Sequence, residues 1–331
     1  MTAETILFVQ GIELPPNVVE LARTLMPPGF ALQTMPPRTR SVDIASAMRN
    51  ADYLLGFIFH LPDEAYLNAQ RLKLVQVLSA GYDMVNIEGA RKARVPICSN
   101  GGANSVAVAE HAIMLMLAVY RKLIAFHQNV AAGHWHSGIP RAVNIFEIDG
   151  KTVGLVGFGN IGEQVARRLR GFNARIVYYD STRRAPAEEA ALDVEYVPLD
   201  QLLARADIVS LHMALNESTR GVIGRDALSR MKPGAVLINT CRGEVVDEEA
   251  LIETLREGRL LGAGLDTLQK EPTDSLNPIL RLPNVVLTPH SAGPTVDSFR
   301  KRFQNGYQNI ERVAKGERPR WVIAEMRDLF A

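Results

Sequence analysis

Short, nearly unbroken apolar runs recur along this chain, and between them apolar residues return every three or four positions. In about the first hundred residues the runs are "TILFV", "ALQTM", "DYLLGF", "LKLVQVL" and "VPICS", with helical pieces such as "NVVELARTL" and "NIEGARKA" between them. A second series opens at "KTVGLVG". It continues through "RIVYYD", "ADIVSLHM", "GAVLINT", "LGAGLD" and "NVVLTPH", again with helical stretches between. Continuous rather than alternating apolar runs are the mark of strands covered on both faces, and their alternation with helices predicts parallel sheets. The fold class is therefore α/β, with two doubly wound parallel-sheet domains in tandem.

Between the two series, residues 105–126 are apolar on nearly every face. Such a helix is predicted to be buried, packed between domains or subunits. It leads into the irregular connector "AAGHWHSGIPRAVNIFEIDG". After His290 no further strand is predicted, only the helical pattern "TVDSFRKRFQNGYQNIERVAKGE" ending at Gly316. That helix could return to cover the first domain.

Size and charge narrow the function. A chain of 331 residues, 47% of them hydrophobic, holds enough apolar material for two cores. Its 37 basic and 36 acidic residues leave a net charge of +1 with no basic tract or acidic tail, which disfavours nucleic acid and anionic membranes as partners. The start "MTAETILFVQ" has an acid where a signal peptide carries positive charge, and the apolar run 112–120 is too short to span a bilayer. Cys98 and Cys241 are too few for a disulfide scaffold, so a reducing, cytoplasmic setting is expected.

Chemistry enters with "TVGLVGFGNIGEQVARRLRGF". Gly157, Gly159 and Gly162 have the G-x-G-x-x-G spacing, after an apolar strand and at the opening of a helix that lines up Ile161, Val165 and Leu169. The first glycine permits a tight turn, the second lets backbone approach a pyrophosphate, and the third lets helix and strand pack closely. Asn160 and Ile161 begin the helix whose N-terminus would face the phosphates. The next strand, "RIVYYD", ends at Asp180, 18 residues after Gly162, where a ribose 2′-hydroxyl needs an acid. A carboxylate beside a 2′-phosphate would cost about a few kcal/mol, so Asp180 favours NAD. Arg183 and Arg184 keep NADP open as the alternative, although solvated loop arginines would look the same.

Three charged residues follow strands of the second series: Arg242 in "NTCRGEVVDEEAL", Glu271 in "LDTLQKEP" and His290 in "NVVLTPH". Ligands of doubly wound sheets collect at such ends. Taken singly, they read equally well as a loop arginine, a surface acid before a proline and a polar strand cap. Together they combine a carboxylate-binding fork with an acid/base pair.

This ordered set resembles the D-isomer-specific 2-hydroxyacid dehydrogenases, relatives of glyoxylate and hydroxypyruvate reductases and of phosphoglycerate dehydrogenase. The likeness runs from about Val77 to the last helix. It implies a flavodoxin-like substrate domain, residues 1–103 and 291–331, with a Rossmann NAD-binding domain, residues 104–290, inserted in it. It implies that Arg242 binds the substrate carboxylate, Glu271 supports the histidine and His290 is the general acid/base. It assigns Asp266 to the nicotinamide carboxamide, Thr240 to the cofactor, and the backbone of Ala80 and Gly81, in "SAGYD", to the substrate. A small 2-oxo/2-hydroxy acid pair, no metal, and a homodimer clasped through the apolar helix complete the expectation.

Some positions depart from the family pattern. Ala214 stands where proline is common, Cys241 where alanine is common, and "HSAGPT" is a variant ending. "HWH" (His134, Trp135, His136) suggests a pocket wall or interface at Trp135 rather than a metal site. Phe57, Phe59, His60 and Tyr82 are further pocket candidates. Formate oxidation is disfavoured by Glu271 and phosphite oxidation by Ala80. The alternative from another class is a dinucleotide-sensing corepressor on the same scaffold, which keeps the same three residues.

Overall fold

The computed structural model describes residues 3–135 and 144–330. His136 lies outside the described residues. Contacts divide the chain into two compact units, Met1–Asn104 with Pro294–Ala331, and Ser105–Gly293.

The first unit holds β1 (Glu4–Val9), β2 (Phe30–Met35), β3 (Tyr53–Gly56), β4 (Leu74–Val77) and β5 (Ile97–Cys98). They form one parallel sheet in the order β2-β1-β3-β4-β5, the flavodoxin-like arrangement. Because side chains alternate along a strand, Leu7 and Val9 join one core layer with Leu54 and Val75, while Ile6 and Phe8 join the other with Tyr53 and Leu55. The helix Val296–Ala314 covers this second layer, its Phe303 set edge-on to Phe8 at 5.5 Å. Thr295 and Ser298 cap that helix reciprocally, each hydroxyl accepting the other's backbone N–H at 3.1 Å. Phe57 belongs to the same core, edge-on to Phe299 at 6.4 Å and 7% exposed, so it is packing rather than pocket wall.

The second unit holds β6 (Thr152–Val156), β7 (Arg175–Tyr179), β8 (Val194–Tyr196), β9 (Ile208–Leu211), β10 (Val236–Asn239), β11 (Gly262–Leu265) and β12 (Val285–Leu287). All pair in parallel in the order β12-β11-β10-β9-β6-β7-β8. The strand order reverses between β6 and β9, and ligands bind outside the carboxyl ends of strands at such a switch point. Strand β8, "VEY", escaped the sequence pattern because it is three residues long with a glutamate in the middle.

The apolar segment after residue 104 forms two helices, Ser105–Tyr120 and Leu123–Ala131, broken at Lys122 with φ +49°. The first is buried within its own unit, against β10, β11, β12 and the helix Asn160–Leu169. Its burial thus needs no second domain or subunit, which corrects the expectation from its all-round apolar face. The glycines of β11 make this possible. A Cβ on Gly264 would lie 2.8 Å from Leu115 Cβ, and one on Gly262 would lie 2.9 Å from Val119 Cγ1.

Gly264→Ala is therefore expected to destabilise the protein by about 1–3 kcal/mol through overpacking. Denaturant unfolding measures this, and an unchanged midpoint would contradict the helix-on-strand packing.

Candidate active site

The glycine loop leaves β6 through Gly157, at φ +95°. A Cβ there would lie 2.6 Å from the carbonyl carbon of His212, just past β9, so only glycine lets the turn cross that strand end. A Cβ on Gly162 would fall 2.4 Å from the Gly157 carbonyl oxygen, which is why the helix can lie back on the loop. Gly159 differs: a Cβ there meets nothing within 4 Å. It also caps the helix Asn160–Leu169 without a side chain, leaving the first-turn amides, at Asn160 and Ile161, uncapped by one. A loop open above a bare helix N-terminus fits a pyrophosphate.

Asp180 follows β7 and binds the same loop. Its Oδ2 accepts the Phe158 N–H at 2.6 Å, and its Oδ1 accepts the Thr182 N–H at 3.1 Å. The Phe158 ring stacks on Tyr178 with centroids 4.2 Å apart. Across the switch point, Thr240 follows β10 with its hydroxyl buried and without a hydrogen-bond partner among the described residues. Such a group calls for a ligand, since an unmet buried hydroxyl costs about 1–3 kcal/mol. Glycine cradle, acid and orphan hydroxyl together fit a dinucleotide.

Arg242, Glu271 and His290 converge at the ends of β10, β11 and β12. Asn239 shapes the first loop: its Nδ2 donates to the Arg242 carbonyl at 2.9 Å, and its Oδ1 accepts the Cys241 N–H at 3.0 Å. Arg242 Nη1 donates to the Cys241 carbonyl at 2.8 Å. A Cβ on the next residue, Gly243, would sit 1.9 Å from the Leu268 carbonyl carbon. Only glycine lets the arginine loop lie directly against the segment that leads to Glu271. Glu271 Oε1 accepts the Leu268 N–H at 3.0 Å, and Oε2 lies 2.6 Å from His290 Nδ1. Burial pushes the Glu271 carboxyl up. The His290 hydrogen bond and charge, the Leu268 amide and the Arg242 charge together outweigh it and hold the carboxyl below its ordinary value. An ionised Glu271 therefore receives the Nδ1 proton, and Nε2 is the ring nitrogen outside that contact.

His290 has φ +53°, an uncommon conformation for a residue with a side chain. Asp266, buried at 2% exposure, holds this turn. Its backbone carbonyl accepts the His290 N–H at 2.8 Å. Its carboxylate accepts the Thr288 hydroxyl at 2.5 Å, the Ser291 N–H at 2.8 Å and the Ala292 N–H at 2.9 Å. His111 Nε2 lies 2.9 Å from Thr288 Oγ1 and, since that hydroxyl donates to Asp266, acts as its donor. Burial lowers the His111 pKa against the pull of Asp266, which suits a neutral imidazole. A carboxylate offers about four acceptor sites, so Asp266 keeps room for one more donor.

Residues of these two groups that the sequence does not single out include Asn239, Thr288 and His111. Thr288 stands two residues before His290, and His111 is a lone ring in an apolar helix; both carried a faint signal. Ala80 and Gly81 lie in the first unit, in the loop after β4, where Ser79 Oγ donates to the Gly81 carbonyl at 2.6 Å. The Leu78 carbonyl before that loop accepts Arg302 Nη1 at 2.9 Å. Tyr82 donates to Glu325 at 3.2 Å, and Trp135 is exposed. Among the described residues no cluster of His, Cys, Asp or Glu could hold a metal, and no helix is long and apolar enough to cross a membrane.

Comparison with known proteins bears on this geometry directly. Residues 113–292 match the family described as "D-isomer specific 2-hydroxyacid dehydrogenase, NAD binding domain". A glyoxylate reductase of Korarchaeum cryptofilum is 37% identical over 278 residues, 83% of each chain. A solved glyoxylate reductase from Paecilomyes thermophila superposes with TM-score 0.85 at 28% identity, covering 98% of this chain and 100% of its own. An NADPH-dependent glyoxylate/hydroxypyruvate reductase from Sinorhizobium meliloti, solved with NADP and malonate, gives TM-score 0.83 at 28% identity and covers 98% of each chain. This chain belongs to the D-isomer specific 2-hydroxyacid dehydrogenases, enzymes that move hydride between a nicotinamide cofactor and a 2-hydroxy acid/2-oxo acid pair.

Proposed function

We propose that the chain reduces glyoxylate or hydroxypyruvate to the corresponding 2-hydroxy acid with NADH, and that His290 delivers the proton. The observation that carries this reading is the 2.6 Å contact between His290 Nδ1 and Glu271 Oε2, next to the loop of Arg242. Glu271 holds the Nδ1 proton, and Nε2 passes a proton to the substrate oxygen. Arg242 grips the substrate carboxylate with its planar fork and draws charge from the C2 oxygen. The nicotinamide, when bound, supplies the hydride. Gly157, Gly159, Asn160, Ile161 and Gly162 hold the pyrophosphate, Asp180 the ribose, and Thr240 and Asp266 the nicotinamide end. The names of the relatives support the substrate class, and they lend nothing to the dinucleotide-sensing alternative.

We also propose a cytoplasmic homodimer. Both cysteines are free thiols, which supports a reducing setting. The helix Leu123–Ala131 has no buried residue and exposes Leu123, Ile124 and Val130, an apolar surface of the kind that a second copy covers. Sedimentation should show a dimer that Ile124→Asp dissociates; a wild-type monomer at micromolar concentration would overturn this.

Activity is checked by oxidation of NADH or NADPH with each 2-oxo acid. The wild type should turn over with NADH in preference to NADPH. His290→Ala should lower kcat by about 10²–10⁴-fold while NADH fluorescence still reports binding. Normal turnover in that variant would refute the proton-donor role.

A further inference from the structure

The turn after Asp180 carries two arginines whose positions bear on the choice between NAD and NADP. A guanidinium is the natural partner of a 2′-phosphate, able to bind it through two parallel hydrogen bonds. Arg183 sits three residues past the ribose acid, yet its guanidinium is turned onto Glu189, on the helix Pro186–Leu192. Nε donates to Oε1 at 2.9 Å and Nη2 to Oε2 at 2.8 Å. The Tyr178 hydroxyl donates to the same Oε1 at 2.7 Å, and the guanidinium lies over the Tyr196 ring, 5.3 Å from its centroid. Glu189 is itself buried, at 8% exposure. A carboxylate is buried at a cost unless it is fully paired, so one with three donors is tightly committed. Arg183 and then Tyr178, against burial, hold the Glu189 carboxyl down at about 2, so the pair is charged at any ordinary assay pH.

Arg184 is differently employed. Its Nη2 donates to the Phe158 carbonyl at 3.0 Å, on the residue whose amide Asp180 receives. Glu163 and Glu188 lie 3.8 and 3.9 Å from it. It braces the glycine loop.

We propose that Glu189 is a specificity-determining residue: it withholds Arg183 from the adenosine ribose and so denies a 2′-phosphate its partner. Asp180 repels the phosphate, and Glu189 removes the cation that would offset that repulsion. The inference rests on the NAD reading above, and binding separates the two. The probes are adenosine 2′,5′-bisphosphate and 5′-AMP, titrated by calorimetry into the whole enzyme at neutral pH. The wild-type ratio of dissociation constants tests the NAD reading alone, which fails if the bisphosphate binds tighter. The change in that ratio on substitution tests Glu189. Glu189→Gln should shift it toward the bisphosphate by about tenfold, and adding Arg183→Ala should reverse the shift. Tyr178→Phe, which leaves the ion pair, should not move it; a purely structural effect would weaken both probes alike. An unchanged ratio in Glu189→Gln, with 5′-AMP still bound, would overturn the proposal. If that variant does not fold, Arg183→Ala alone decides. It should keep the wild-type ratio, and a selective loss of bisphosphate binding would show Arg183 already at the ribose.

Discussion

The site depends on one buried carboxylate. Asp266, at the end of β11, is almost wholly removed from water, and its charge is sustained by donors that all come from the turn around His290. Left without them, such a charge would cost several kcal/mol; with them, it ties Thr288, Ser291 and Ala292 to one point. The left-handed backbone of His290 is the local cost of that arrangement. What it achieves is an imidazole aimed at Glu271 from a neighbouring strand end.

The sheet supplies the rest of the positioning. Parallel strands β10, β11 and β12 end at one edge, so Arg242, Glu271 and His290, distant in sequence, arrive at neighbouring loops. Glycines set how closely these loops approach. Gly243 lets the arginine loop lie on the Leu268 backbone, and Gly157 lets the glycine turn cross the end of β9. Within the sheet, Gly262 and Gly264 let the apolar helix seat directly on β11. Glycines unremarkable in sequence thus decide spacing at both the site and the core.

Much of this was legible in the chain itself. Buried parallel strands announce themselves as unbroken apolar runs, and both sheets follow from them. The glycine turn stood out because its glycines sit between a strand and a helix, and the three charged residues because each follows a strand. What escaped had physical reasons. Strand β8 is too short and too polar to form a run. The helix Ser105–Tyr120 is apolar all round, which states that it is buried but not against what; the answer lay in the glycines of β11. Phe57 looked like a pocket wall because an aromatic near a strand end fits pocket and core equally. The ties of Asp266 to the His290 turn, and of Glu189 to Arg183, are made by side chains and amides whose meeting depends on tertiary packing, and no periodicity encodes that.

The central claim is that Glu271 holds the Nδ1 proton of His290 and leaves Nε2 to exchange a proton with the substrate. The most direct measurement is nitrogen-15 NMR of the histidine rings, with His290 assigned through His290→Asn. The expected result is a protonated Nδ1 in a strong hydrogen bond, seen as a proton signal far downfield and lost in Glu271→Gln. A neutral His290 ring carrying its proton on Nε2, unaffected by Glu271→Gln, would contradict the account.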